Sequence, residues 1–579
     1  RRQDIARNER RTKRFRMHNS IKNIPVPKNP DTLLGLLLGG WWIVNLIQAG
    51  CTELANDEAY YHMFSESLAW GYFDHPPMTA LLVRLGGFLG GELGVRFLFT
   101  LLQPLYLFVL WKIVRPASAD SREAGLFALI AAAMPILQLY GFIAVPDGPL
   151  MLFTALLLWF YKKFTEDDRW SSALLMGIMI AALAYSKYHG ALVVLFIVLS
   201  NLRLLKNPKF YVACLLTLAL IAPHLWWQYQ HDWISFRYHL DGRTRDFEYS
   251  FVTEYLLNLF AIFNPFLFPV FLKGWWKTKG HTPVLRALNC ISAGFILFFL
   301  ASTTRGYVQP QWEIPATFGV IAVLYLFTQG RERLRRYIVR VGWITIALIA
   351  LVRIEMIFNP LGLKFEVFDN RASYNEIAAA ADGRPVIFDG SYTDAAKYGF
   401  YTGRTAYAQP SIRYRTSQYE LKDDDDRMAG KPAILQVWDS VPGKRRLKLS
   451  NGKRFEYIET EHFTPVRRID VAYDALPGQV AAGDTLHLRL TLHNPYPYEY
   501  RIDGDSVSVS IVWRNRSEPT HRYKLPITGT LPPHGELQGT ADFVVPALTP
   551  RTFQVGFTIA NLPATTWFNG KTVKINLKK

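Results

Sequence analysis

Apolar residues fall in long blocks over the first three-fifths of the chain and in short alternating runs over the last fifth. A helix needs about 20 apolar residues to cross a bilayer, and the blocks approach that length one after another. They predict about eleven spans. These lie at roughly 33–50, 93–114, 123–143, 148–164, 170–185, 190–204, 209–229, 251–273, 284–302, 311–329 and 337–357. The stretch 78–97 is cut by Gly86-Gly87, Gly90-Gly91 and Gly94, too many breaks for a full span. The aromatic, amphipathic stretch 58–70 before it suits a helix lying along the membrane interface.

After about residue 359 the pattern changes. Residues 373–381 read as a helix, 385–388 as a buried strand, and 392–401 as a helix ending near Gly403. That is a small α/β unit. From about 465 the period becomes two, at 486–492, 507–512, 553–559 and 573–577, with turn-rich gaps between. Such spacing predicts an all-β sandwich of immunoglobulin-like kind. The expected organisation is a basic cytoplasmic N-terminus (1–32), a transmembrane domain (33–358), an extracytoplasmic α/β domain (359–464) and the sandwich (465–579). The fold class is a polytopic α-helical membrane protein with two appended soluble domains.

Composition agrees: half the residues are hydrophobic and only 19% are charged. The net charge of +18 would suit nucleic acid, but its placement argues against that partner. Basic residues sit in the N-terminal RRQDIARNERRTKRFR and in the short loops 115–122, 162–169, 203–209, 273–286 and 331–340. By the positive-inside rule those loops are cytoplasmic. Alternation then puts 51–92, 144–147, 186–189, 231–250, 302–310 and everything after 358 outside. The three cysteines, Cys51, Cys214 and Cys290, lie in or beside apolar segments and make neither a disulfide framework nor a metal-ligand spacing.

Nothing in the alternation requires chemistry to gather on one side, yet the charged and aromatic motifs all fall outside. Asn56–Met78, NDEAYYHMFSESLAWGYFDHPPM, follows directly on the first span. Carboxylates beside a membrane are costly without a role. Asp57 and Glu58 are candidates for a general base or for anchoring substrate or metal. The plain alternative is that Asn56 or Asp57 caps a helix starting near Ala59. Asp74 and His75 follow in the same stretch. Asp147, in VPDGP, is either a site acid or the turn residue before the next span. Lys187 and His189 share a tight turn with Tyr188 in YSKYHG; Lys187, and Arg305 in TTRGYVQPQW, place cations against the positive-inside trend, as an anionic partner would require, though a lysine there could also snorkel. Arg237, Arg243 and Arg245 share a loop with His231, His239, Asp232 and Asp241. Arginine forks suit phosphate, and a solvated loop with internal ion pairs is the alternative. A divalent metal is the one cofactor the acids could anchor, but no ligand spacing calls for it. The run Lys422–Asp426 reads as a solvated loop, and Asn515-Arg516-Ser517 matches the N-glycosylation pattern. Cations for a phosphate and acids for a hydroxyl together suit a lipid-phosphate-linked substrate whose tail lies among the spans.

These motifs, DEAYYHMFSESLAWGYFDHPPM, VPDGPLMLF, YSKYHGAL, PHLWWQYQHDWISFRYHL and QPQWEIPA, resemble the GT-C membrane glycosyltransferases over about residues 33–330. The chain looks most like the aminoarabinose lipid A transferase and bacterial protein O-mannosyltransferase-like group. PVIFDGSYTDAAKYGFYTG (385–403) resembles the extracytoplasmic α/β domain of such proteins, and the sandwich is an addition. The resemblance implies inverting transfer of one sugar from a polyprenyl-phosphate donor to a lipid, glycan or protein acceptor. It places that reaction at the outer face of the bacterial cytoplasmic membrane. It implies Asp57 as the first-loop catalytic acid, Asp147 as a second site acid, and Lys187 and Arg305 as donor-phosphate contacts. Gln309-Pro310-Gln311 departs from the His- or Glu-containing versions of that motif, which weakens any metal or base role there. Two other classes compete. A flippase or transporter of lipid-linked sugars would also need cations, but along a path through both leaflets. An envelope scaffold would act through its sandwich.

Overall fold

The computed structural model describes residues 27–240, 247–278, 280–411, 414–438, 443–515, 520–549, 551–561 and 567–578. The basic N-terminal run, Arg243 with Asp241 and Arg245, and residues 516–517 lie outside the described residues. The chain divides into two compact units. One comprises Arg1–Thr52, Leu68–Gly71 and His75–Leu361; the other comprises Glu53–Ser67, Tyr72–Asp74 and Gly362–Lys579.

The first unit is helical. Among its described residues five helices are long and apolar enough to cross a membrane: Pro30–Cys51, Gly91–Val114, Pro208–Gln230, Pro283–Arg305 and Glu332–Phe358. Met78–Leu89, Trp170–Ser186, Gly190–Ser200 and Ala316–Phe327 are shorter apolar helices. Three helices begin with one device: a side-chain cap followed by proline, at Asn29-Pro30, Asn207-Pro208 and Thr282-Pro283. The cap oxygen takes orphan backbone N–H groups, and proline has none to leave unpaired. Asp31 then accepts from Trp111 Nε1 at 2.8 Å and pairs with Lys112 at 2.8 Å.

Two expected spans are each broken into two helices. The block at 123–143 is Ser121–Ala132 followed by Pro135–Tyr140. Pro135 forces Met134 into an extended conformation and ends the first helix. The block at 251–273 is Tyr249–Ile262 followed by Phe268–Lys277. Here Asn264 takes a positive φ of 72°, and its side-chain oxygen accepts from the Phe266 and Leu267 N–H groups at 3.0 and 3.3 Å. Backbone freed inside a bilayer must be paired again. Gln138 Nε2 donates to the Ala132 carbonyl, and Asn264 Nδ2 to that of Ala133. Gln103 donates to the Leu137 carbonyl, Asn45 to that of Gly141, and Arg353 to that of Gln138. The helix Pro135–Tyr140 and the Gly141 that follows it are thus gripped by side chains from three long helices. A Cβ on Gly141 would lie 2.4 Å from Gln103 Oε1 and would push Gln103 off the carbonyl it holds.

The second unit holds a five-stranded sheet and a sandwich. The strands β1 (Val386–Asp389), β2 (Ala406–Gln409), β3 (Ala433–Gln436), β4 (Arg445–Lys448) and β5 (Arg454–Thr460) are ordered β2-β1-β3-β5-β4. The β1 pairings to β2 and β3 are parallel and the rest antiparallel. β1 is buried at every position, as its unbroken apolar run requires. The helices Asn370–Ala381 and Tyr392–Thr402 accompany this sheet. The second ends on Gly403 in the left-handed conformation, φ 64°.

The sandwich comprises β6 (Asp470–Tyr473), β7 (Gln479–Ala481), β8 (Thr485–His493), β9 (Tyr500–Ile502), β10 (Val507–Arg514), β11 (His521–Lys524), β12 (Gly529–Leu531), β13 (Glu536–Val544), β14 (Thr552–Asn561) and β15 (Val573–Lys578). One sheet runs β11-β10-β14-β15-β7, a second β13-β8-β6, and β12 pairs with β9. Strict alternation on β8 buries Leu486, Leu488, Leu490 and Leu492 against Val509, Ile511, Phe553 and Phe557 of the facing sheet.

Two expectations are corrected in this unit. The acidic run is not a solvated loop. Asp424–Met428 forms a short helix, and Asp425, 1% exposed, takes two hydrogen bonds from Arg467 at 3.1 and 3.0 Å. A buried carboxylate is tolerable once so paired. The helix Asn56–Glu66 is covered by protein rather than lying bare at an interface. It packs on Tyr392–Thr402, with Tyr60 and Tyr392 ring centroids 4.6 Å apart and the Leu54 N–H on Tyr401 Oη at 2.8 Å.

Lys397 is 2% exposed and donates to the Glu366 carbonyl at 2.6 Å. Burial pushes its ammonium down to about 8 from the ordinary 10.5, against the opposing pull of Glu366 and Asp394. Between those values the unfolded chain holds a proton that the folded chain lacks, so stability rises with pH across that window and gains nothing below it. The unfolding midpoint of this unit is expected to increase from pH 7.5 to pH 9.5, and Lys397→Met to flatten the increase. An equal rise in the variant would exclude Lys397 as its source.

Candidate functional site

Glu58 sits at the start of its helix, is fully buried, and accepts the Ala55 N–H at 2.9 Å. It meets the capping demand of the helix start, the need that had pointed to Asn56 or Asp57. Asp57, on the first turn, is exposed. Asp74 is 2% exposed and pairs with Arg415 Nη1 at 2.8 Å. The guanidinium carbon lies 4.4 Å from the Tyr392 ring centre and 5.8 Å from that of Tyr60. Arg415 Nε and Nη2 donate to Tyr392 Oη at 3.1 and 2.8 Å. Tyr60 Oη accepts the Gln418 N–H at 2.6 Å. Burial raises the Tyr392 phenol to about 12; Arg415 opposes the rise, and Asp57 and Asp74 add to it. Burial also pushes the Tyr60 phenol up, with Asp74 adding to the effect. Tyr60, Tyr392 and Arg415 were not singled out in the sequence. Arg415 lies more than 300 residues after Asp74, and no local spacing marks it.

In the helical unit Asp147 opens the helix Asp147–Asp167, where the positive end of the peptide dipoles favours its charge. Lys187 ends the helix Trp170–Ser186. Their side chains meet at 2.7 Å, with Lys187 6% and Asp147 3% exposed. An ammonium has three N–H donors. Asp147 takes one, leaving Lys187 able to serve an incoming anion.

Tyr188 lies within a directed hydrogen-bond chain. The Trp70 carbonyl, 2.7 Å from His224 Nδ1, can only accept, so Nδ1 carries the proton and Nε2 is bare. Tyr188 Oη, 3.3 Å away, donates to Nε2, and Gln228 Nε2 donates to Tyr188 Oη at 3.0 Å. The turn at Trp70 is pressed onto the helix Pro208–Gln230, because a Cβ on Gly71 would lie 2.5 Å from the Trp227 ring. His239 packs against Tyr188 at 5.4 Å and against His75 at 6.3 Å, centroid to centroid. His189 packs on Trp312 at 5.5 Å. His224 and Gln228 were quoted only within a motif; the period of four that puts both on one helix face was the available signal.

The structure therefore brings Asp147 to Lys187, and Tyr188 to His75 through His239. It sets Asp74 beside Arg415, in the unit that also carries Asp57 and Glu58. Arg305 is exposed at the end of the short turn Thr303–Arg305 and shares no described contact with these residues. Among the described residues no group of three or more His, Cys, Asp or Glu side chains is placed to hold a metal ion.

Residues 74–227 match the family described as dolichyl-phosphate-mannose-protein mannosyltransferase. The chain is 28% identical over 326 residues to the lipid A galacturonosyltransferase RgtD of Rhizobium johnstonii, a match spanning 53% of this chain and 68% of that protein. Its fold is similar to that of ArnT from Cupriavidus metallidurans. The apo structure of ArnT superimposes with a TM-score of 0.54 at 14% identity, covering 73% of this chain and 97% of that one. The structure of ArnT bound to undecaprenyl phosphate gives 0.55 at 15% identity over the same shares. These findings favour transfer chemistry and give the transporter class no support. Motifs, fold and relatives converge on a multi-pass membrane glycosyltransferase whose fold is similar to that of ArnT.

Proposed function

We propose that this glycosyltransferase moves one sugar, with inversion, from a polyprenyl-phosphate donor to a lipid acceptor of lipid A type. The site of reaction is the outer face of the bacterial cytoplasmic membrane, and the second unit is extracytoplasmic. The observation that carries this reading is the buried Lys187–Asp147 pair. A buried ammonium held by one carboxylate, with donors to spare, suits a lipid phosphate better than a neutral ligand. The relatives point the same way: one is a lipid A galacturonosyltransferase, and ArnT has been captured with undecaprenyl phosphate.

In the proposed reaction an acceptor oxygen attacks the anomeric carbon as the bond to the phosphate oxygen breaks. Lys187, with Arg305 and His75, stabilises the charge gathering on the departing phosphate. Asp57 takes the proton of a hydroxyl acceptor, or orients the sugar when the acceptor is already ionised. Asp147 holds the Lys187 ammonium in place, and Tyr188, fixed by His224 and Gln228, borders it in sequence.

The test is to incubate the purified protein with a panel of polyprenyl-phosphate sugars and lipid A, then to identify the released lipid phosphate and the modified acceptor. Sugar transfer from nucleotide sugars alone, or consumption of no lipid-linked donor, would sink the proposal.

A further inference from the structure

Of the carboxylates in the first-loop stretch, Glu58 is spent on its own helix start and Asp74 on Arg415. Asp57 faces outward. What lies beside Asp57 comes from the far end of the chain. Tyr392 opens the helix that packs against the one bearing Asp57, and Arg415 is stacked on Tyr392.

The hydrogen-bond directions at Tyr392 are fixed. Its oxygen accepts two N–H groups from Arg415, at 3.1 and 2.8 Å. Both lone pairs are thereby engaged, and the phenol can act outward only as a donor. Among the described residues no acceptor takes that O–H proton. Arg415 cannot turn away to relieve this, because its third nitrogen is held by Asp74 at 2.8 Å and its plane rests on the Tyr392 ring. Its side chain keeps 28% exposure, so the cluster is open to a ligand. The result is a phenol O–H held in place by a guanidinium, on the helix that packs against the one bearing the carboxylate assigned above to the acceptor.

We propose that Tyr392, held by Arg415, is a specificity-determining residue for the transferred sugar. Its O–H donates to an oxygen substituent of the donor sugar and so orients the ring relative to Asp57. The proposal rests on the lipid-linked donor put forward above. The chemistry read is an oxygen, hydroxyl or carboxylate, at that ring position. An ammonium there would meet a donor and a cation and be rejected.

Tyr392→Phe removes the donor while keeping the ring under Arg415. With a polyprenyl-phosphate sugar that the wild type consumes, Tyr392→Phe is expected to lower kcat/KM about tenfold, the effect of about 1.4 kcal/mol from one lost hydrogen bond. Inhibition by sugar-free undecaprenyl phosphate should stay within about twofold of wild type, since that ligand lacks the sugar. In a series of donors each missing one ring oxygen, one member should be used equally well by wild type and variant. Arg415→Lys, which keeps the charge on Asp74 but loses the fork on Tyr392, should show the same selective loss. The proposal is overturned by unchanged kcat/KM in Tyr392→Phe, by an equal loss of sugar-free lipid-phosphate binding, or by uniform sensitivity across the donor series. Failure of the wild type to consume any lipid-linked donor would count against the donor class itself, and would overturn both readings.

Discussion

Asp57→Asn is expected to reduce transfer to a hydroxyl acceptor by about 10²–10⁴-fold, the range for losing a positioned general base. The asparagine keeps the shape and removes the basicity. Asp57 is exposed and Glu58 does the capping, so the helix start does not depend on Asp57, and the unfolding midpoint separates a loss of rate from a loss of fold. Initial rates of sugar-labelled product formation give the first measurement and thermal unfolding in detergent the second. The acceptor sharpens the test. A lipid phosphate needs no base, so against such an acceptor the same variant should be weakened far less. Full activity of Asp57→Asn on a hydroxyl acceptor would remove it from the role of base.

Asp147→Leu should be destabilising by about 3–5 kcal/mol, because it strands a buried ammonium without its counter-charge. The pair is almost wholly enclosed and 2.7 Å apart, so solvent cannot take over from the carboxylate. Lys187→Met is expected to cost about 10²–10³-fold in rate, as loss of one preorganised donor to a developing charge does. The double variant, Asp147→Leu with Lys187→Met, separates the two effects. It should regain most of the lost stability, with no buried charge left, and remain inactive. An Asp147→Leu protein as stable as wild type, or a double variant that recovers activity, would contradict these assignments.

The apolar helices and the α/β helices were legible because each leaves a local pattern. The eighteen or so apolar residues of a span, the 385–388 run and the alternation at 486–492 declare themselves within one element. What stayed hidden is what depends on pairing across the sequence. Asp425 looked like one of four solvated aspartates until Arg467 was found over it. Arg415 carried no signal, since its partners Asp74 and Tyr392 come from separate segments. The breaks at Pro135 and Asn264 were written in the sequence as plainly as any turn. The hydrophobicity on both sides hid them, because a bilayer tolerates a broken helix once Gln138 and Asn264 take up the freed carbonyls.

The second unit draws its residues from both ends of the chain, and this sets an order of assembly. The helix Asn56–Glu66 emerges early, but the helix Tyr392–Thr402 that covers it follows about 300 residues later. At about 5–20 residues per second of synthesis, the early helix waits roughly 15–60 s for its partner. During that interval Tyr60, Tyr61 and Phe64 have no protein surface from the later segment to bury them. The segment bearing Asp57 therefore gains its final environment only when the C-terminal half has been made and folded.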